Sequence, residues 1–395
     1  MRKIMLFAVI ATSTACRAEV VAELNEAAAR IAAPPGSNIA VNTLALMNLA
    51  MFDSANAVER GFAPYRQTPA PPSGINPDAA ALAAGCATLT SMQPAQAQAV
   101  ASACQTIAAR LPAGAESDDA RRFGERVATD LVASRKGEGL GAPNRYRPFT
   151  TAGTYVPTTL PVGWDVATMK PIALTSPSQF RPEPPPPLSG DVWARDYNEV
   201  KAVGARASNT RTAEQTATAQ FWSLPGFAQF IDGIPDNAPA ASTVAARARY
   251  YALVYMAMGD AAAAQFDAKY TYNFWRPITA IRNGGLDGND ATEPDVGWLS
   301  LIDAPLHPEY PCAHCNVAAA VATVVAGMNA PGKRITVRGA NNTRREFATA
   351  DALLADVVNA RVYSGIHFRT SAETGAAMGR KVGAYILTTQ LRPLP

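Results

Sequence analysis

The feature that most constrains this 395-residue chain is the recurrence of Ala- and Leu-rich stretches at helical spacing, with few strand signals between them. Apolar residues three and four apart make one face of a helix, and such faces need other helices to cover them. The stretches fall at roughly 20–33, 39–59, 78–92, 95–111, 117–135, 213–230 and 240–268. No β/α rhythm runs through them, so the pattern predicts an all-α helical bundle. With 48% hydrophobic and 17% charged residues, the chain can build a large core. A formal net charge of +3 argues against a nucleic-acid partner.

Between about Gly137 and Asp191 the helical pattern lapses into Pro, Gly, Thr and Tyr, including Pro184 to Pro187. Tyr146, Phe149, Tyr155, Trp164 and Phe180 favour an ordered proline-rich strap across a bundle, since a free linker is usually more polar. The first residues read as an export signal: Arg2 and Lys3, an apolar run from Ile4 to Ala11, then small Cys16 and Ala18 before Glu19. Cleavage after Ala18 would leave a domain over 19–395, periplasmic or secreted. No later segment reaches the ~18 apolar residues of a membrane anchor, and the longest, Val317 to Met328, is too short. Cys86, Cys104, Cys312 and Cys315 allow three pairings, of which Cys86–Cys104 with Cys312–Cys315 is the local choice. The densest positive cluster, Lys333 to Arg345, reads as a solvated loop between two helices.

Histidine is the sharpest chemical signal, because only His307, His314 and His367 occur. His307 reads as a hydrogen-bonded structural residue. His314 follows Pro311, Cys312 and Ala313 and starts an apolar helix, whose free N–H groups suit an anion. His367 lies six residues after Arg361, a spacing that turns the two apart on one straight helix. A break at Ser364-Gly365 would bring them together. Arg361, among Val357, Val358 and Val362, needs an anionic partner, whether a ligand or a carboxylate. Lys269 and Arg276, seven apart, fall on one face of a helix that must end near Arg276, ahead of Pro277. Guanidinium forks with an ammonium suit a tetrahedral oxyanion, vanadate or phosphate. A further helix is expected from Thr370, with Glu373 completing a capping box. Gly375, Gly379 and Gly383 would give that helix a smooth face for close packing. Two histidines without a carboxylate or thiolate set make a poor divalent-metal site.

Lys269-x6-Arg276-Pro277, then Pro311-Cys312-Ala313-His314, then Arg361-x5-His367 resemble the three-part signature of the vanadium-dependent haloperoxidases and type 2 phosphatidic acid phosphatases. Residues 274–282 (FWRPITAIR), 307–311 (HPEYP), 365–369 (GIHFR) and 181–187 (RPEPPPP) are similar to the soluble bacterial haloperoxidase branch. The resemblance implies two four-helix bundles side by side, with the motifs in about 240–395. It makes His367 the apical ligand of vanadate, or the nucleophile toward phosphate, and His314 the acid/base. Lys269, Arg276 and Arg361 would neutralise the anion's equatorial oxygens, assisted by the Ala313 N–H and the side chain at Cys312. Its substrates would be hydrogen peroxide and a halide. The same pocket would also serve a phosphate monoester in a periplasmic acid phosphatase, or bind oxyanions without turnover. Two departures stand out: Cys312-Ala313 replaces the usual Ser-Gly, and Ser371 replaces a frequent aspartate that polarises the second histidine. A free Cys312 would be oxidised by a hypohalous product, so halide oxidation requires it to be bonded to Cys315.

Overall fold

The computed structural model describes residues 19–32, 37–139, 141–224, 227–339 and 343–395, and the expected export signal lies outside the described residues. The first helices are α1 (Glu19–Ile31), α2 (Asn38–Glu59), α3 (Pro77–Met92), α4 (Ala97–Ala108) and α5 (Ala115–Ser134). Their starts follow local chemistry: the Ser37 hydroxyl accepts from Ala40 N–H, and Asn76 caps α3 ahead of Pro77. Helix α2 buries almost every residue from Ala40 to Asn56, which makes it a core helix rather than an amphipathic cover. The Cys86–Cys104 disulfide joins α3 to α4.

The strap is ordered, holding the short α6 (Trp164–Ala167). Tyr146, Tyr155, Ile172 and Leu174 are buried under it, whereas Phe149 is exposed. A buried carboxylate pins it: Asp260 accepts from the N–H groups of Ile172, Ala173 and Leu174 at 2.6, 2.7 and 2.8 Å. Beyond it come α7 (Asp191–Val203), α8 (Ala213–Phe221) and α9 (Ala228–Asn237). The single stretch expected at 213–230 is therefore two helices, and α7 had no counterpart in the helical pattern.

Asp260 belongs to α10 (Val244–Tyr272), the longest element, buried nearly all round. One side packs on α2 and the other on α12 (Ala313–Met328), which lies along α14 (Arg369–Thr389) beside α13 (Ala350–Tyr363). Helix α10 thus joins an N-terminal and a C-terminal helical layer, with the short α11 (Pro277–Arg282) leaving its end. The cluster expected to be a solvated loop is a two-stranded antiparallel hairpin, β1 (Ile335–Arg338) with β2 (Arg344–Phe347). Its arginines are anchored: Arg338 pairs with Asp236, while Arg345 bonds Asp356 and lies over the Phe221 ring. No helix among the described residues is long and apolar enough to cross a membrane.

Helix α14 starts differently from the expected capping box. Its N-cap is Phe368, and Asp196 on α7 accepts from Thr370 N–H at 2.8 Å, so the cap comes from another helix. The glycine stripe does pack as its spacing implies. A Cβ at Gly375, Gly379 or Gly383 would meet the carbonyl oxygen of Cys312, Asn316 or Ala320 at 2.4, 2.0 and 2.6 Å. Gly379→Ala should destabilise the protein by about 1–3 kcal/mol, the usual cost of overpacking a core. Gly61→Ala, where a Cβ meets nothing within 4 Å, should be near neutral in the same urea titration.

Candidate oxyanion site

Five separated segments meet at the lower end of α10. That helix stops because Asn273 adopts a left-handed conformation (φ 48°), its N–H closing on Lys269 O. Lys269 is therefore on the last turn, but Arg276 lies beyond it in extended backbone (φ −79°, ψ 153°). The seven-residue spacing does not place them on one helical face. They converge because both reach the irregular segment at 307–309. Lys269 Nζ donates to the carbonyls of Pro308 and Glu309, both at 2.8 Å. Arg276 Nε donates to His307 O at 2.9 Å and its Nη1 to Ile366 O at 2.8 Å.

The histidines complete the cluster. His367 follows the chain break as expected: α13 ends at Tyr363, and Gly365 takes φ 75° with its Cα side against Gly204. Arg276 Nη1 lies 3.3 Å from His367 Nε2, and its Nη2 lies 3.0 Å from His307 Nδ1. A guanidinium only donates, so His367 Nε2 accepts and its ring proton sits on Nδ1 toward Glu309, whereas His307 Nδ1 lies between Arg276 Nη2 and the Pro308 carbonyl oxygen at 3.1 Å. His307 is thus a hydrogen-bonded residue within the site, bracing Arg276. His314 starts α12 where the sequence places it, against Phe230, with Nε2 unpaired and one backbone hydrogen bond at Leu224. Arg361 is buried, donates from Nη1 to Trp222 O at 2.6 Å, and leaves Nε unpaired.

The residue that sequence reasoning missed is Glu309. Wholly buried, it accepts at Oε1 from His367 Nδ1 (2.7 Å) and from Phe368 N–H (3.1 Å). Its only sequence signal was its place in the HPEYP run. It supplies the carboxylate that Ser371 lacks. The Ser371 hydroxyl lies close enough to favour the Glu309 charge without reaching hydrogen-bond geometry. The second departure is resolved as well, because Cys312 is bonded to Cys315. Cys312 Sγ also caps α12, accepting from Cys315 N–H at 3.1 Å.

Burial governs the electrostatics. It pulls Lys269 well below its usual value, abetted by Arg276 and opposed by Glu309. Burial likewise brings Arg276 to about 10, and burial plus Arg276 brings Arg361 to about 9. His307, His314 and His367 are held well below the usual imidazole range, by burial first and the neighbouring cations second. Glu309 is raised to about 7 by burial, although Arg276 and Lys269 favour its charge. Three cations face one carboxylate in a water-poor space, an arrangement that favours an anion.

Residues 249–393 match the family model described as the VCPO second helical-bundle domain. Vanadium chloroperoxidase of Curvularia inaequalis is 28% identical over 188 residues, 38% of this chain and only 30% of that protein. Among solved structures, a bacterial vanadium-dependent iodoperoxidase superposes with TM-score 0.80 at 20% identity, covering 96% of this chain and 97% of its own. A holo-type bacterial vanadium-dependent chloroperoxidase superposes with TM-score 0.66 at 17% identity, over 89% and 91%. These likenesses show that the chain has the fold of the vanadium haloperoxidases, and that residues 249–393 resemble their second helical-bundle domain.

Proposed function

We propose that this protein is a vanadium-dependent haloperoxidase, using hydrogen peroxide to oxidise a halide. The observation that carries the reading is the Glu309–His367 pair: the 2.7 Å bond at Nδ1 leaves the Nε2 lone pair facing the cation cluster. Vanadate fits the donors present. Arg361 Nε and His314 Nε2 are buried polar atoms without partners among the described residues, and a tetrahedral oxyanion would satisfy both. Lys269, Arg276 and Arg361 would hold its oxygens, with the N–H groups at the start of α12 near Ala313, and His367 Nε2 would be its ligand. Bound there, vanadate supplies a Lewis acid that activates peroxide toward halide.

The protein's own groups have distinct tasks in this reading. Glu309 accepts the Nδ1 proton, which fixes the His367 tautomer and makes Nε2 more basic. His314, kept neutral by burial and Arg361, takes up and returns a proton at its unpaired Nε2. The Cys312–Cys315 disulfide supports halide oxidation, since it leaves no thiol there for a hypohalous product to attack. Export to the periplasm or beyond is part of the proposal and suits two disulfides. A second reading, an acid phosphatase working through phosphorylated His367, draws support from the same pair, because a carboxylate behind a histidine strengthens it as a nucleophile.

Purified protein loaded with orthovanadate should brominate a dye in the presence of bromide and peroxide, and His367→Ala should abolish this. Release of phosphate from a chromogenic monoester, without bromination, would move the assignment to the phosphatase. Glu309→Gln should weaken vanadate binding by roughly 10–100-fold, as loss of such a supporting group commonly does, with the melting temperature reporting any general damage. Phosphate binding by calorimetry should weaken as pH rises through about 9, where buried Arg361 loses its charge. The sign follows from the depressed cation values: the charged forms an anion needs persist below them and disappear above.

A further inference from the structure

A groove of about 580 Å³ runs along the strap side of the site, between residues 150–158, α11 and residues 303–306. Its size falls in the roughly 300–1,000 Å³ range of small-molecule pockets. Arg276 lines its inner end, and the 303–306 wall continues directly into His307. Trp275, Ile278 and Leu306 give it apolar surface. Three side chains on its walls keep a polar atom without a partner among the described residues. The Trp275 indole N–H is buried and unpaired. The Tyr155 hydroxyl makes no hydrogen bond among the described residues, and burial holds it above the usual phenol range, with nearby Arg276 only partly opposing that. Arg282 uses Nε on Trp298 O at 2.9 Å, and its two terminal nitrogens meet no partner among the described residues. The acidic group on the wall, Asp303, is paired with Arg206 at 3.0 Å. Two arginines, Arg276 and Arg282, line the groove against the single carboxylate of Asp303, so its lining carries net positive charge.

We infer that this groove binds a small aromatic acid, its ring against Ile278 and Leu306, its carboxylate on Arg282, and a phenol oxygen toward Tyr155. Apolar walls with a few fixed polar groups select for such a ligand. That this acid is the organic acceptor rests on the proposed haloperoxidase reading. In that reaction a hypohalous acid gives its halogen to a ring carbon, the ring loses a proton, and hydroxide leaves with it as water.

The test is direct binding of 4-hydroxybenzoate to the full chain, with and without vanadate, by saturation-transfer NMR and tryptophan fluorescence. Saturable binding is expected, weakened about tenfold or more by Arg282→Ala, the loss typical of one charge-assisted hydrogen bond. Thr279→Phe, which places a ring in the groove without touching the Arg282 contact, should weaken it similarly. Both variants should keep the wild-type vanadate affinity, and Thr279→Phe should also keep the melting temperature, which Arg282→Ala lowers through loss of its bond to Trp298 O. Tyramine, with an ammonium in place of the carboxylate, should bind about tenfold more weakly or not at all. Equal binding of the two ring ligands, or unchanged affinity in both variants, overturns the groove assignment. A protein that binds the acid in this way but brominates nothing supports the groove and removes the haloperoxidase reading. One that brominates a dye yet binds no acid does the reverse.

Discussion

Burying several like charges together is the constraint on which the rest of this structure depends. Lys269, Arg276 and Arg361 are almost inaccessible to water, and each such ion costs several kcal/mol to desolvate. Main-chain carbonyls offset much of that cost: those of His307, Pro308 and Glu309 serve Lys269 and Arg276, Ile366 serves Arg276, and Trp222 serves Arg361. Carbonyls can do this only where the backbone is not already paired in a helix, so the cations converge on the irregular segment before α12. That segment is held in turn by Glu309 N–H, which donates to Phe274 O at 2.9 Å. Dipoles soften the repulsion among three cations without cancelling their charge, and Glu309 cancels one at most.

Holding such a cluster requires that its parts not drift. Helix α7 contributes to this although it carries none of the signature residues. Trp193 stacks on Trp275 at 5.8 Å and meets the Phe368 ring edge-on at 4.8 Å, so one indole packs beside the neighbours of both Arg276 and His367. Its own N–H is anchored on Asp287 at 2.8 Å. From the other side, the glycine stripe lets α14 lie against the start of α12, where Cys312 N–H donates to Ser371 O at 3.2 Å. The first and second histidine motifs are thus linked through backbone, and a small shift of either helix would move both.

Legibility in the sequence followed the range of the interactions. Helices built on their own apolar spacing, α2, α3, α5 and α10, lie within a few residues of their expected bounds. The break at Gly365 and the packing role of the glycines were also readable, because each depends on one residue's local properties. Lys269 and Arg276 were correctly paired for an incorrect reason: helical periodicity suggested a shared face, while an asparagine cap and a distant loop bring them together. The cap of α14 and the role of α7 were hidden because Asp196 and Trp193 act across more than 170 residues on Thr370 and Phe368. The hairpin at 335–347 hid behind its arginines, whose anionic and aromatic partners lie elsewhere in the chain.

Ser371 shows why a motif departure has to be judged in space. Read along the chain, it removes the carboxylate that would support His367. In the fold, Glu309 reaches the same ring nitrogen from 58 residues away, and Ser371 lies beside it. An aspartate at 371 would put a second carboxylate against the first in a site where burial already raises Glu309 to about 7. Two buried carboxyl groups so close do not both ionise readily, and one would hold a proton and lose its hold on the histidine. A small neutral hydroxyl avoids that conflict and still favours the charge on Glu309. The serine and the glutamate are therefore one physical solution, and neither can be interpreted from its own position alone.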